Sequence, residues 1–229
     1  MEKIYMKLLM ENWREYLNEN ATPGTVPWTP EQIEQIGKAL VKGEQTYSDH
    51  TVGHLSKYAF SQFDDSRTGS HTAGDTEGVG KGMYNLDSYF GHMFGNDKKL
   101  LTNPEHIKAL GSKYIMTVSI TGKFAIMHID DLVRYFPQKI ELPDGKKINV
   151  TGPMTQSIKD FKKWLIRQGY DGVWWNQPGR KQKSGLTALT SNALSVFSAE
   201  NNAKIMAVRQ LEAPYAVIKP PWKNWEKQK

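Results

Sequence analysis

At 229 residues, 38% of them hydrophobic and 11% aromatic, the chain is long enough for one well-buried domain and too apolar to be disordered. It has no cysteine, which excludes disulfides, thiolate zinc sites and a cysteine nucleophile, and no apolar run long enough to span a bilayer. The net charge of +6, from 30 Lys+Arg against 24 Asp+Glu, suits an acidic partner such as nucleic acid, or simply a solvated surface.

Along the chain, Ile4, Leu8, Leu9, Trp13, Tyr16 and Leu17 recur at helical spacing, which predicts an amphipathic helix over residues 4–19. Glu11, Arg14 and Glu15 interrupt its apolar residues, so no signal peptide is expected and a cytoplasmic setting is. The stretch "ATPGTVPWTP" breaks this helix, and Thr29-Pro30-Glu31-Gln32 reads as an N-cap with proline at the first helical position. The second helix carries Ile33, Ile36 and Leu40 and stops near Gly43, so residues 1–46 read as a helical appendage.

From residue 47 to 212, short apolar pieces alternate with Gly, Asp, Ser and Thr, the pattern of a strand-rich α+β domain. "KYIMTVSI" (113–120) and "FAIMHI" (124–129) read as two strands joined across Thr121-Gly122-Lys123. "KIELPDGKKINV" reads as a hairpin turning at Pro143-Asp144-Gly145. "TQSIKDFKKWLIRQG" (155–169) is a helix with Ile158, Phe161, Trp164 and Leu165 on one face and Gly169 as its stop. "YDGVWW", "ALSVF" and "AKIMAV" are three further strands, and residues 213–229 form a basic tail with Trp and Pro.

Candidate chemistry gathers in a few places. His54-Leu55-Ser56 follows Gly53, and Gly80-Lys81-Gly82-Met83-Tyr84 is a glycine turn that presents a tyrosine. Phe94 stands ten residues after Tyr84, beyond a short helix-like piece starting at Asp87-Ser88, and two aromatics so held can sandwich a flat ring. The glycine turn has no Walker lysine–Ser/Thr pair and no strand–GxGxxG–helix context. The six histidines show no HExxH spacing, so no metal is expected. "DDSRTG" reads as a turn, and the Arg67 guanidinium within it suits a pyrophosphate.

Taken in order, "GHLS", "GKGMYNLDS…F", "GYDGVWW" and "NALSVFSAENNAKIMAV" resemble the ADP-ribosyltransferase superfamily on its diphtheria-toxin and poly(ADP-ribose) polymerase side. The resemblance covers about residues 50 to 212 and rests most on the glycine-tyrosine element. It implies a split antiparallel sheet and NAD as co-substrate, with the nicotinamide between Tyr84 and Phe94 near Gly82. His54 would then hold a ribose hydroxyl, and Ser56 and the backbone at Leu55 the carboxamide. Leu55 stands where many relatives have Gly.

In that pattern the residue after Asn192 is the catalytic Glu, and here it is Ala193. A methyl group cannot stabilise the oxocarbenium-like charge that builds on the ribose when the nicotinamide bond breaks. Three explanations stand open: a deliberate change that silences a toxic enzyme, a natural pseudoenzyme, or a different carboxylate such as Glu200 or Glu77. The resemblance implies a mono-ADP-ribosyltransferase of phage-effector, toxin or anti-phage type. Its acceptor would be macromolecular, RNA or DNA slightly ahead of protein, with an antitoxin or inhibitor as a further partner and no membrane. The rival is a non-catalytic NAD- or target-binding module, or a phage structural protein on the same scaffold.

Overall fold

Thr29 starts the first described helix, α1 (Pro30–Leu40), through a capping box. Its hydroxyl accepts from the Gln32 backbone N–H at 3.3 Å, and the Gln32 side chain accepts from the Thr29 N–H at 2.8 Å. The computed structural model of the chain describes residues 26–68, 89–95, 107, 112–137, 139–142, 145–176 and 192–211. The helix expected over residues 4–19 and the tail at 213–229 lie outside them.

Among the described residues, eight strands and three further helices of defined range follow. They are β1 (Gly43–Ser56), β2 (His92–Gly95), β3 (Tyr114–Met127), α2 (Ile129–Tyr135), β4 (Lys139–Glu141), β5 (Lys147–Asn149), α3 (Thr151–Arg167), β6 (Gly172–Asn176), β7 (Asn192–Val196), α4 (Ala199–Asn202) and β8 (Ala203–Gln210). The main sheet runs β1-β2-β7-β6-β3-β8, and β1 also pairs with β3. Five strands therefore close into a barrel, with β8 attached outside the ring. The class is α+β, and the sheet is mixed rather than wholly antiparallel, because β6 runs parallel to β3 from Gly172 beside Phe124 to Trp175 beside Met127. Parallel pairing needs a crossover, and the segment carrying α3 returns the chain for it.

The expected break at Thr121-Gly122-Lys123 does not occur: β3 is one strand of 14 residues. Gly122 takes a φ of 140°, and Asp171 grips the next residue twice. The Asp171 carboxylate accepts from the Lys123 N–H at 2.8 Å, and its own N–H donates to the Lys123 carbonyl at 2.7 Å. The chain bends there without turning back, so one edge of β3 serves β8 over Tyr114–Ile120 and β6 over Phe124–Met127.

Alternation along the strands separates two cores. Inside the barrel lie Val52, Phe94, Met116, Val118, Phe124 and Leu194. The outer face, with Ala125, Val173, Trp175 and Ala193, packs against α1 and α3 through Ile33, Ile36, Phe161, Trp164 and Leu165. The boundary expected between residues 46 and 47 falls inside β1, and the buried face of α1 shares a core with α3. This helix is a layer of the domain and not an appendage. The helix expected from residue 155 begins at Thr151, because the Asn149 side chain accepts the Thr151 N–H at 2.8 Å and Pro153 is tolerated in a first turn. Gly169, with a φ of 81°, ends it as expected.

Candidate functional site

The site expected from sequence draws on β1, β2 and β7, and these are adjacent in the barrel. Gly53 on β1 pairs with Gly95 on β2, and Gly95 pairs with Ala193 on β7. Position 193 therefore sits two strand spacings, roughly 10 Å, from the residue before His54. Gly95 ends β2 and Asn192 begins β7, so this row lies at a rim of the barrel.

His54 projects to the inner face. Its Nδ1 lies 3.0 Å from the Met93 carbonyl oxygen. A carbonyl only accepts, so Nδ1 carries the hydrogen. Rings surround it: Phe60 at 6.0 Å, Phe63 at 5.5 Å and Phe94 at 5.5 Å between centroids. Ser56 ends β1, nearly buried, and its Oγ accepts from the Tyr58 N–H at 3.1 Å. Leu55, half-buried, alternates to the other face and pairs with Ile115.

Phe94, expected as one face of an aromatic clamp, lies on β2 just after the helical residues Tyr89 and Phe90, 1% exposed, with its ring edge-on to Phe63 at 5.1 Å. One expectation needs correction. Ala193 was expected to turn its methyl toward the same site as His54. It is 2% exposed and belongs to the outer core with Phe90 and Trp175, whereas Leu194, one residue on, faces the inner side with Phe94. Period-two alternation sets this: the strands bring the two positions together, but their side chains leave by opposite faces.

Arg67 closes a short 3-10 turn (Asp65–Arg67), and its Nε lies 3.3 Å from an Asp64 carboxylate oxygen. Its side chain is 77% exposed and turned to that neighbour. Gly82 and Tyr84 lie outside the described residues, as does Glu77. Glu200 opens α4 and accepts the Asp65 N–H at 2.9 Å, which places it with the 64–68 turn and not with Ala193.

The structure adds residues that the sequence did not single out. Asp65 accepts from the backbone N–H of Ala199 at 2.8 Å. His92, at the start of β2, has Nε2 3.3 Å from the Asp64 carbonyl and 3.7 Å from the Asp65 carboxylate. Burial holds the His92 pKa below the ordinary imidazole value, against the opposing pull of Asp64, Asp65 and Glu200. Burial likewise lowers Lys162, whose ammonium sits 5.3 Å above the Phe197 ring. Trp174 packs against the inner core with a buried Nε1 that has no hydrogen-bond partner among the described residues. No group of metal-ligating residues occurs among the described residues, and none of the described helices is long and apolar enough to cross a membrane.

No family model, no curated protein and no solved structure matches the chain.

Proposed function

We propose that the chain is an NAD-binding domain of the ADP-ribosyltransferase type, with an ADP-ribosyltransferase-like core, that binds the dinucleotide without turning it over. The row Gly53–Gly95–Ala193 carries the reading: segments far apart in sequence, each resembling an element of that family, lie edge to edge at one barrel rim. His54 meets that rim from inside and position 193 from outside. A bent dinucleotide laid over the rim would set its ribose hydroxyl on the His54 side and its reacting carbon over the strand that carries position 193, whose own side chain is covered by the outer core.

In the parent reaction the bond between ribose C1′ and the nicotinamide nitrogen breaks, and nicotinamide leaves neutral with the bonding pair. An acceptor oxygen or nitrogen bonds C1′ and gives up its proton. A carboxylate at 193 would stabilise the positive charge on the ribose, and loss of one such contact costs about 10²–10³ in rate. The acceptor is proposed as macromolecular, nucleic acid ahead of protein because the chain is basic and lysines grip phosphates without regard to sequence. An antitoxin or inhibitor protein and a cytoplasmic setting belong to the same proposal. The packing of the Ala193 methyl among apolar neighbours favours the binding-module form of this reading for the chain with its present sequence.

The test is Ala193→Glu, with Ala193→Gln as the uncharged control of similar size. Both are checked for folding, then assayed for release of nicotinamide from labelled NAD and for label on RNA, DNA and protein of a lysate. Release by the Glu variant alone is expected. If the folded Glu variant releases no nicotinamide and millimolar NAD leaves the Tm of the original chain unchanged, the reading fails.

A further inference from the structure

After β1 the chain folds back over the inner face of the barrel that it has just helped to build. The two inner-facing polar residues at the end of that strand are His54 and Ser56, and both have partners from the next twelve residues. The Ser56 Oγ takes the Tyr58 N–H at 3.1 Å. The rings of Phe60 and Phe63 stand 6.0 and 5.5 Å from the His54 ring and 5.2 Å from each other. Phe63 is 2% exposed and is the inward anchor of the stretch. A ribose hydroxyl seeking the His54 imidazole, or a carboxamide seeking the Ser56 hydroxyl, meets this segment first.

The far end is fastened by an exchange of carboxylates. Asp65 Oδ1 accepts from the N–H of Ala199 at 2.8 Å and of Glu200 at 3.4 Å, while Glu200 Oε1 accepts from the Asp65 N–H at 2.9 Å. The Asp65 carbonyl accepts the Thr68 hydroxyl at 2.7 Å, which folds the end of the segment onto the same turn. One end is thus held by buried rings and the other by solvent-touched polar bonds, and the polar end is the one that opens at low free energy.

We propose that residues 57–68 are a strap that shields His54 and Ser56, and that release of the Asp65–Glu200 clasp exposes them and so gates entry of a nicotinamide dinucleotide. Entry of the dinucleotide rests on the function proposed above; the shielding of His54 does not.

Glu200→Ala removes one half of the clasp at an exposed position, and Asp65→Ala removes the other. Hydrogen exchange and diethyl pyrocarbonate labelling of His54, both read by mass spectrometry, report on the strap without ligand, and calorimetric titration with NAD reports on the gate. In Glu200→Ala, amides of residues 57–68 are expected to exchange about tenfold faster while those of β3 hold their rates. His54 labelling rises several-fold, and the Kd for NAD falls several-fold. Acceleration shared equally by the strap and β3 would overturn the strap, because the segment would then open only with the whole fold. A loosened strap with unchanged His54 labelling overturns the shielding, and an unchanged Kd in a protein that does bind NAD overturns the gate. If His54 becomes reactive and neither protein binds NAD, the shielding stands and the dinucleotide reading falls.

Discussion

Trp174 and Trp175 are neighbours on one strand, yet they inhabit different parts of the protein. Trp175 points outward, fully buried, and its indole N–H donates to the Ser195 hydroxyl at 2.7 Å. Trp174 points inward, and its buried Nε1 has no partner among the described residues. The outer face is a helix-on-sheet core in which the Trp175 N–H and the Ser195 hydroxyl are paired. The inner face toward the rim is a cluster of rings around His54, closed by a segment of the same chain. A complete core is where stability resides, and a partly satisfied one is where a ligand or a movement can be accommodated.

The sharpest way to test that contrast is to damage each face. Phe161→Ala empties the outer core at a fully buried ring and is expected to cost ~3–5 kcal/mol in denaturant-induced unfolding. Next in size, Ser195→Ala strands the Trp175 N–H and is expected to cost ~1–3 kcal/mol, whereas Trp174→Phe removes an N–H with no partner among the described residues and costs less. If the two changes cost the same, the difference between the faces is not one of polar satisfaction.

The smallest effect is one of pH, and it belongs to the inner side. Burial lowers the His92 pKa from the ordinary value of 6.5, despite the carboxylates of Asp64, Asp65 and Glu200 nearby. The folded protein therefore prefers neutral His92. Its contribution is complete above the unfolded-state value and shrinks as pH falls from there toward the lower folded value. Tm measured from pH 7.5 to 5.5 is expected to decline, and His92→Gln to flatten that decline. An identical slope in the variant would place the pH sensitivity elsewhere.

Much of this was legible from local signals. Thr29 and Gln32 announced α1, "KIELPDGKKINV" announced the pairing of β4 with β5 (Pro143 and Asp144 of its expected turn lie outside the described residues), and Ile158, Phe161, Trp164 and Leu165 marked the buried face of α3. What was not legible depended on partners distant in sequence. Thr121-Gly122-Lys123 has the composition of a turn, and only the grip of Asp171 keeps β3 continuous. "DDSR" reads as a turn and is one, but the bonds from Asp65 to α4 make it a clasp as well. The mismatch at Ala193 has the same origin. Alternation is visible within "NALSVF", but which parity shares a face with His54 depends on the register of β1, β2 and β7 together.

Closing five strands into a ring also decides where this protein is exposed to self-association. Within the ring, β3 takes partners along both edges, whereas β1 meets β2 only where Gly53 pairs with Gly95. Among the described residues, β8 is the strand of the main sheet that stands outside the ring, paired on one side with β3 and solvent-exposed from Met206 to Gln210. Met206 and Val208 are exposed there, and Lys204 and Arg209 flank them. Cations beside an apolar edge discourage strand-to-strand stacking. The exposed edge of β8 thus carries its own deterrent to stacking in Lys204 and Arg209.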